Sequence, residues 1–280
     1  MNTSKQLKDL INNKAKAYDL SPQVLLTRFF MERFLGRISE SRYRTNFILK
    51  GGILISSMVG IDSRMTKDMD LTVKNLPLNE IFIKQAICEI TNMQVDDETK
   101  FELLDLKPIR EEFDYSGFRA RLSCIFDKTQ NVIQIDITTG DVITPRKIQF
   151  GYKLLLEKRA IDITCYPIET ILAEKLESIL SKNITTTRMK DFYDCYLLGK
   201  LYFQNINKKN MILALRTTAK NRNTENIFDN VHETIDAITN DGSLQFMWLA
   251  YSSQFNYSKD IKFEDTINQI TSLLKRIDLL

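Results

Sequence analysis

Residues 50–71 read KGGILISSMVGIDSRMTKDMDL and decide the fold of the chain. Two glycines, Gly51 and Gly52, open a short apolar segment that Gly60 closes, and a polar turn then leads to Asp68 and Asp70. This pattern predicts a glycine turn, a helix of about two turns, a loop and a strand that begins with two acids. The stretch is therefore a helix–loop–strand unit whose polar residues lie at the ends of its elements.

The two acids indicate a metal site. Residues two apart in a strand point to the same face, roughly 6.6 Å apart along the backbone, so the carboxylates of Asp68 and Asp70 project together and repel each other. A divalent cation is the simplest compensation, and oxygen-only anionic ligands suit Mg²⁺, with Mn²⁺ as the alternative. The competing interpretation is a solvated strand end.

The two glycines indicate an anion site in front of these acids. Gly51 and Gly52 permit positive φ and close approach of the backbone to a ligand. A helix that begins there directs unpaired N–H groups at an anion. A phosphate cradle followed by a metal-binding acid pair is the layout expected for a nucleotidyltransferase, and a plain turn is the alternative.

The same residues carry a family resemblance. The run FILKGGILI (47–55) and the spacing RxTxDxD of Arg64, Thr66, Asp68 and Asp70 resemble the AbiEii/AbiGii abortive-infection toxins of the DNA polymerase β-like superfamily. The resemblance implies an α/β (α+β) fold with a polymerase-β-like nucleotidyltransferase core on a mixed sheet, plus a helical C-terminal region. It also implies that Gly51, Gly52, Arg64 and Thr66 bind the nucleotide.

The resemblance further implies a biological role. Members are the toxin halves of bacterial toxin–antitoxin pairs that protect against phage. The implied reaction transfers a nucleotide from a nucleoside triphosphate to an RNA, with the 3′ end of tRNA as the expected acceptor. The implied protein partner is an antitoxin encoded nearby, with no requirement for stable protein contact.

A lysine within an apolar helical stripe is the next candidate. On a predicted helix over 168–182, Lys175 falls inside the apolar arc at 100° per residue. A buried ammonium needs an anion, and the triphosphate is one. The alternative is a lysine whose aliphatic stem lies along the edge of the apolar stripe while its ammonium reaches solvent. The resemblance implies a catalytic lysine here, which would bind the nucleotide in the same pocket as Asp68 and Asp70.

Three further acids are candidates by resemblance. The segment RMKDFYD (188–194) is similar to the closing family motif RxKDxxD, and its Asp191 and Asp194 are neighbours on a helix. They either position Lys175 or are acids favoured in a first helical turn. Asp136, inside the apolar strand VIQIDI (132–137), matches the third carboxylate that superfamily enzymes use for metal binding or proton transfer. Its alternative is a position on a wet sheet face.

Composition places these motifs in a globular protein. The chain has 280 residues, 43% of them hydrophobic, and a net charge of +3 that does not diagnose a nucleic-acid partner. We predict an N-terminal nucleotidyltransferase domain over 1–165 and a mostly helical C-terminal domain over 166–280. One histidine and four scattered cysteines argue against a zinc site or a His-based nucleophilic mechanism. The absence of a long apolar run predicts a cytoplasmic protein that does not contact membranes.

Two basic segments are candidates for contacts to RNA, and a solvated helix face is the alternative for both. The first is the helix that carries Arg28, Arg33 and Arg37, and the second is the segment 208–222. Two rival functions remain open from the sequence: a metal-dependent nuclease, and a nucleotide-binding or partner-binding protein without turnover.

Overall fold

The computed structural model describes residues 3–110 and 116–280 of the chain. It divides into two compact units, each with its own core. The first comprises Met1–Gly140 and Lys147–Cys165, and the second comprises Asp141–Arg146 and Tyr166–Leu280.

A seven-stranded sheet organises the first unit, with the strand order β3-β4-β5-β2-β1-β7-β6. Strand β1 runs antiparallel to β2 and parallel to β7, β2 runs parallel to β5, and the remaining neighbours are antiparallel. The predicted mixed sheet is therefore confirmed. The strands are β1 Phe47–Lys50, β2 Met69–Val73, β3 Thr99–Arg110, β4 Ser116–Phe126, β5 Thr129–Thr138, β6 Ile148–Lys153 and β7 Ala160–Cys165.

Four helices accompany this sheet in the described part of the first unit. They are α1 Ser4–Tyr18, α2 Pro22–Glu40, α3 Gly51–Val59 and α4 Glu80–Thr91. Helix α2 packs on β5 and β7, and helix α3 follows β1 without a linker and packs back on β1 and β2. The alternate strand residues Ile133, Ile135 and Ile137 are buried, so one face of the sheet forms the core.

The arginine row of α2 neither contacts solvent nor offers a surface to RNA. Arg28, Arg33 and Arg37 are all less than 9% exposed. Each has an acidic partner: Arg28 pairs with Glu32 at 3.0 Å, and Arg37 pairs with Asp97 at 3.1 Å, while Arg33 pairs with Glu157. For these three arginines both interpretations from the sequence are wrong, because their side chains are buried and their charges are compensated inside the unit.

The β4–β5 hairpin is tighter than the sequence predicts. The apolar run VIQIDI predicts a strand that starts at Val132, but β5 begins at Thr129 and only Asp127 and Lys128 form the turn. Asp127 adopts φ 50°, and its carboxylate accepts a hydrogen bond from the backbone of Ser4 at 2.9 Å. The start of α1 therefore fixes this two-residue turn, a constraint that is not local in sequence.

The second unit is helical throughout its regular elements. Helix α5 runs from Ile168 to Lys182, as predicted. No helix in the ranges that the structure describes has both the length and the apolar character needed to cross a bilayer. The other helices are α6 Met189–Tyr202, α7 Lys208–Asn221, α8 Val231–Asn240, α9 Gly242–Gln254 and α10 Phe263–Arg276.

Candidate active site

The glycine turn and the second acid of the DxD motif are in direct contact. Gly51 begins helix α3 with φ +69°, and a β-carbon built on it would lie 2.8 Å from Cγ of Asp70 and closer still to Oδ2. Glycine is therefore required at position 51 both by its backbone conformation and by the carboxylate packed on it. The N-terminal amides of α3 and the Asp70 carboxylate consequently lie side by side.

The loop that precedes β2 is held against the second glycine. A β-carbon on Gly52 would lie 2.9 Å from both Cβ and Oγ1 of Thr66. The same hydroxyl accepts a hydrogen bond from the backbone N–H of Asp68 at 3.4 Å. Arg64 is buried, and its guanidinium donates to the carbonyl of Met65. Gly51, Gly52 and Thr66, three of the predicted nucleotide-binding residues, therefore lie together at the start of α3.

A row of charged residues crosses the sheet at the level of Asp70. Lys50 on β1 lies opposite Asp70, Asp70 lies opposite Asp136 on β5, and Asp136 lies opposite Arg119 on β4. Directly opposed residues share a sheet face, so Asp70 and Asp136 project together. Asp136, predicted as a third catalytic acid, accepts two hydrogen bonds from Arg119, at 2.8 Å from Nε and 2.7 Å from Nη2.

The donor chemistry at the start of β2 fits Mg²⁺. Asp68 is exposed and Asp70 is half-buried, so both carboxylates are accessible from outside the core. Mg²⁺ in phosphate-transfer sites takes one or two protein carboxylates and fills its other positions with substrate phosphates and water. Among residues 3–110 and 116–280, no cluster of three or more His, Cys, Asp or Glu side chains forms a larger ligand set. Asp68 and Asp70 are side chains that could hold the ion.

The second unit contains a buried cation with two acidic partners. Lys175 on α5 lies 2.5 Å from Oδ1 of Asp191 and 3.0 Å from Oδ2 of Asp194, and both aspartates on α6 are almost fully buried. Arg188 contacts the other oxygen of Asp191 at 2.7 Å. The anion that the buried lysine requires, for which the sequence suggested a triphosphate, is thus supplied within the unit by these two aspartates.

The charges of this cluster stabilise one another. Burial lowers the pKa of Lys175, but the carboxylates of Asp191 and Asp194 outweigh that effect, so its pKa lies above the ordinary value of 10.5. Burial raises the pKa of Asp191, but Lys175 and Arg188 outweigh it, so this pKa lies below its ordinary 3.8. At neutral pH the lysine is a fixed positive charge, which suits it to neutralise phosphate better than to donate a proton.

This arrangement predicts a stability loss for Asp191→Asn. Removing one partner of a buried ion pair costs about 3–5 kcal/mol, and the remaining contact with Asp194 places the expected loss near ~3 kcal/mol. Because the pKa of Asp191 is depressed, its contribution is present above its unfolded pKa and is lost as pH falls through the folded one. Urea unfolding at pH 7 and pH 3, followed by the fluorescence of Trp248, measures both effects. Trp248 is the single tryptophan of the chain and is buried in the second unit.

Asp236→Asn is the matched control for this prediction. Asp236 is exposed on α8 of the same unit. The control should unfold like the parent protein at both pH values. An Asp191→Asn protein as stable as the control, or one whose deficit grows in acid, would contradict the assigned ion pair.

An open basic pocket of about 610 Å³ lies elsewhere in the second unit. Its lining residues are Phe203, Lys208, Ser272, Lys275 and Arg276. The guanidinium of Arg276 lies over the Phe203 ring at 4.7 Å and donates to the carbonyl of Ile206 at 3.0 Å. Lys208 contacts Asp278 at 2.5 Å. The lining therefore carries more positive than negative charge, which favours an anionic ligand.

Comparison with known families identifies this combination of motifs. The family model described as nucleotidyl transferase AbiEii toxin, type IV toxin–antitoxin system, matches residues 33–269. The chain belongs to the AbiEii toxin family. The resemblance inferred from residues 47–70 is therefore confirmed, and the protein is a nucleotidyltransferase toxin. The family description places AbiEii toxins in type IV toxin–antitoxin systems, so an antitoxin partner and a nucleoside triphosphate substrate follow from membership.

Solved structures share the fold at low sequence identity. The toxin is similar to MenT4, a nucleotidyltransferase toxin of Mycobacterium tuberculosis, with a TM-score of 0.54 and 11% identity over 99% of each chain. It is also similar to JHP933 of Helicobacter pylori, with a TM-score of 0.54 and 15% identity over 92% of this chain and 93% of that one. At this identity the likeness concerns the fold alone. Comparison with curated proteins gives no match.

Two contacts of the AbiEii toxin were not apparent in its sequence. Arg119, the partner of Asp136, alternates with apolar residues in FRARLSCIF (118–126) like any residue on a solvated strand face. Glu177 lies opposite the apolar stripe on the helical wheel, yet it is fully buried and accepts from Arg222 at 2.5 Å. Both depend on which element packs alongside, which periodicity does not specify.

Proposed function

We propose that this toxin transfers a nucleoside monophosphate from a nucleoside triphosphate to the 3′ end of an RNA, with tRNA as the acceptor, in a Mg²⁺-dependent reaction. One observation supports it above all: the Asp70 carboxylate packs on Gly51 at the first turn of α3. A metal-binding acid and an anion-binding helix start are thus adjacent, which is the pairing that a metal-bound triphosphate requires.

The proposed reaction is a substitution at the α-phosphorus. The acceptor oxygen forms a bond to that phosphorus, the bond to the bridging oxygen breaks, pyrophosphate leaves, and the acceptor hydroxyl loses its proton. Mg²⁺, held by Asp68 and Asp70, would supply charge neutralisation for the phosphate oxygens. Gly51 and Gly52 receive the triphosphate on backbone amides, so most of the rate enhancement comes from positioning and electrostatics.

The remaining predicted residues receive supporting roles. Thr66 holds the loop of the acid pair, and Arg64 adds buried positive charge beneath it. Lys175 is the proposed catalytic cation of the second unit, and Asp191 and Asp194 fix the position of its ammonium. Asp136 accepts the proton of the attacking hydroxyl. A carboxylate offers about four lone-pair sites, of which the two bonds from Arg119 use two.

Labelled nucleotides test the proposal directly. Purified toxin is incubated with total tRNA, Mg²⁺ and each α-³²P-labelled nucleoside triphosphate in turn, and the RNA is resolved on a denaturing gel. We expect label in tRNA-sized RNA with at least one nucleotide, and no label when EDTA is present. Shortened RNA without label would instead indicate a nuclease, and bound nucleotide without labelled RNA would indicate a binding protein. A tRNA acceptor also implies action in the cytoplasm, where abortive infection would block phage growth.

The basic pocket of the second unit is the proposed contact for the acceptor. Phosphates of RNA are bound chiefly by lysine and arginine, and an adjacent aromatic ring adds stacking surface. Lys208, Lys275 and Arg276 supply the cations, and Phe203 supplies the ring. Its volume is within the range of roughly 300–1,000 Å³ found for ligand sites.

Lys275→Gln is expected to weaken acceptor binding without changing nucleotide binding. Loss of one phosphate contact lowers affinity and reduces the slope of log affinity against log salt by about 1. The measurement is the KM for tRNA at several salt concentrations, alongside the KM for the triphosphate. Lys259→Gln, an exposed lysine of the same unit outside the pocket, should behave like the parent. Equal salt slopes for both variants would remove this pocket from the proposal.

A further inference from the structure

Arg119 makes a more specific contact than an ordinary surface ion pair on a strand. It lies on β4 directly opposite Asp136, which lies directly opposite Asp70. Both nitrogens that point toward Asp136 donate to it, one to each carboxylate oxygen, at 2.8 and 2.7 Å. Such fork-shaped pairing fixes the orientation of the acid as well as its charge.

The influence of Arg119 extends beyond its direct partner. Its pKa is raised first by the hydrogen bonds to Asp136, against a smaller opposing effect of burial, and then by the charges of Asp136, Asp68 and Asp70. One guanidinium therefore interacts electrostatically with Asp68, Asp70 and Asp136. Asp70 and Asp136 lie opposite each other on the adjacent strands β2 and β5, and Asp68 lies just before β2. Like charges so placed repel one another, and the positive charge of Arg119 offsets part of that repulsion.

We infer that Arg119 is a positioning residue that holds Asp136 apart from the divalent ion, so that only Asp68 and Asp70 are available as protein ligands. This inference rests on the proposed metal site. Ligand positions not taken by protein remain open to triphosphate oxygens and water. With Arg119 in place, each carboxylate oxygen of Asp136 accepts one hydrogen bond from the guanidinium, which fixes the orientation of the acid.

A neighbouring arginine provides a matched control. Arg121 lies on the same face of β4 and is 47% exposed, compared with 44% for Arg119. It too pairs with an aspartate across the strands, but with Asp105 on β3 and through a single bond of 3.0 Å. Replacement of either arginine by glutamine removes one positive charge and one ion pair, and only Arg119→Gln releases Asp136.

Mn²⁺ binding to the full chain without nucleotide tests the inference. The free ion is measured by electron paramagnetic resonance during titration. We expect Arg119→Gln to bind Mn²⁺ roughly tenfold more tightly than the parent, the lower end of the effect of a nearby opposite charge on a carboxylate. The Mn²⁺ affinity of Arg121→Gln should stay within about twofold of the parent. The charge of Arg121 lies two residues further along β4 than that of Arg119 and pairs with Asp105 instead of Asp136. The double variant Arg119→Gln/Asp136→Asn, which has the net charge of the parent, should return to the parent affinity.

The outcomes separate this inference from the proposed function. Equal affinities for Arg119→Gln and Arg121→Gln, or a double variant as tight as Arg119→Gln, would overturn the role assigned to Arg119. Mn²⁺ binding that Asp70→Asn leaves intact would instead overturn the proposed metal site. Circular dichroism spectra of all variants establish that the differences arise in folded protein.

Discussion

Asp70→Asn should lower the rate of nucleotidyl transfer by roughly 10³-fold while leaving the protein folded. The substitution preserves the shape that packs on Gly51 but removes the charge that would hold the metal-bound triphosphate. Loss of one preorganised electrostatic contact to a transition state costs roughly 10²- to 10³-fold in kcat, and a metal-binding carboxylate belongs at the upper end of that range. Transfer of labelled nucleotide to tRNA gives the rate, and growth arrest on expression in bacteria gives the toxicity.

Asp105→Asn is the control for that experiment. Asp105 is another partly buried carboxylate of the same sheet, paired with Arg121 on the neighbouring strand. We expect this variant to keep its activity within about threefold, because surface ion pairs contribute about 0–1 kcal/mol. Full toxicity of the Asp70→Asn protein, with transfer unaffected, would leave the acid pair without a catalytic role.

Gly51→Ala should lower the transfer rate nearly as much as Asp70→Asn does, through geometry alone. A residue with a β-carbon at φ +69° costs about 1–2 kcal/mol in backbone strain. In addition, the new carbon would displace the Asp70 carboxylate, because the position it needs is already occupied. Misplacement of a reacting group by about 1 Å can cost 10²-fold in rate, so we expect a loss of that order. Transfer rates and thermal unfolding of the purified variant measure the two effects.

Gly151→Ala is the matched control for the Gly51→Ala prediction. Gly151 lies in β6 of the same unit, and a β-carbon there would meet no atom within 4 Å. This control should retain both its melting temperature and its activity. An active Gly51→Ala protein would show that the helix start and the acid do not need the contact described, and would weaken the nucleotide site assigned to them.

The proximity of the glycine turn and the acid motif could be predicted from sequence because these parts are local. Gly51, Gly52, Thr66 and Asp70 come from one stretch, and their residue types and spacing carry chemical meaning by themselves. Helix α5 could be predicted for a similar reason, since its apolar stripe is regular and Pro167 precedes its first residue. The lysine within that stripe indicates, from the sequence alone, a buried ammonium that needs an anionic partner.

The remaining contacts depend on the register between paired strands and on which segments cover a helix. Sequence periodicity encodes neither. The sequence shows that Arg119 and Asp136 lie on polar strand faces, but only the pairing of β4 with β5 places them opposite each other. Arg28, Arg33 and Arg37 have the sequence pattern of a basic surface. They are buried because Glu32, Glu157 and Asp97 reach them from the same helix and from two distant segments.

The parallel pairing of β2 with β5 has a consequence for the newly synthesised toxin. Antiparallel β1 and β2 are separated in the chain only by α3 and the loop after it, so the glycine turn and Asp70 are synthesised close together. Asp136 joins them only after α4, β3 and β4 have been translated, and Lys175 is made later still. Under the proposed mechanism, a nascent chain therefore lacks part of its catalytic set until α5 has been translated.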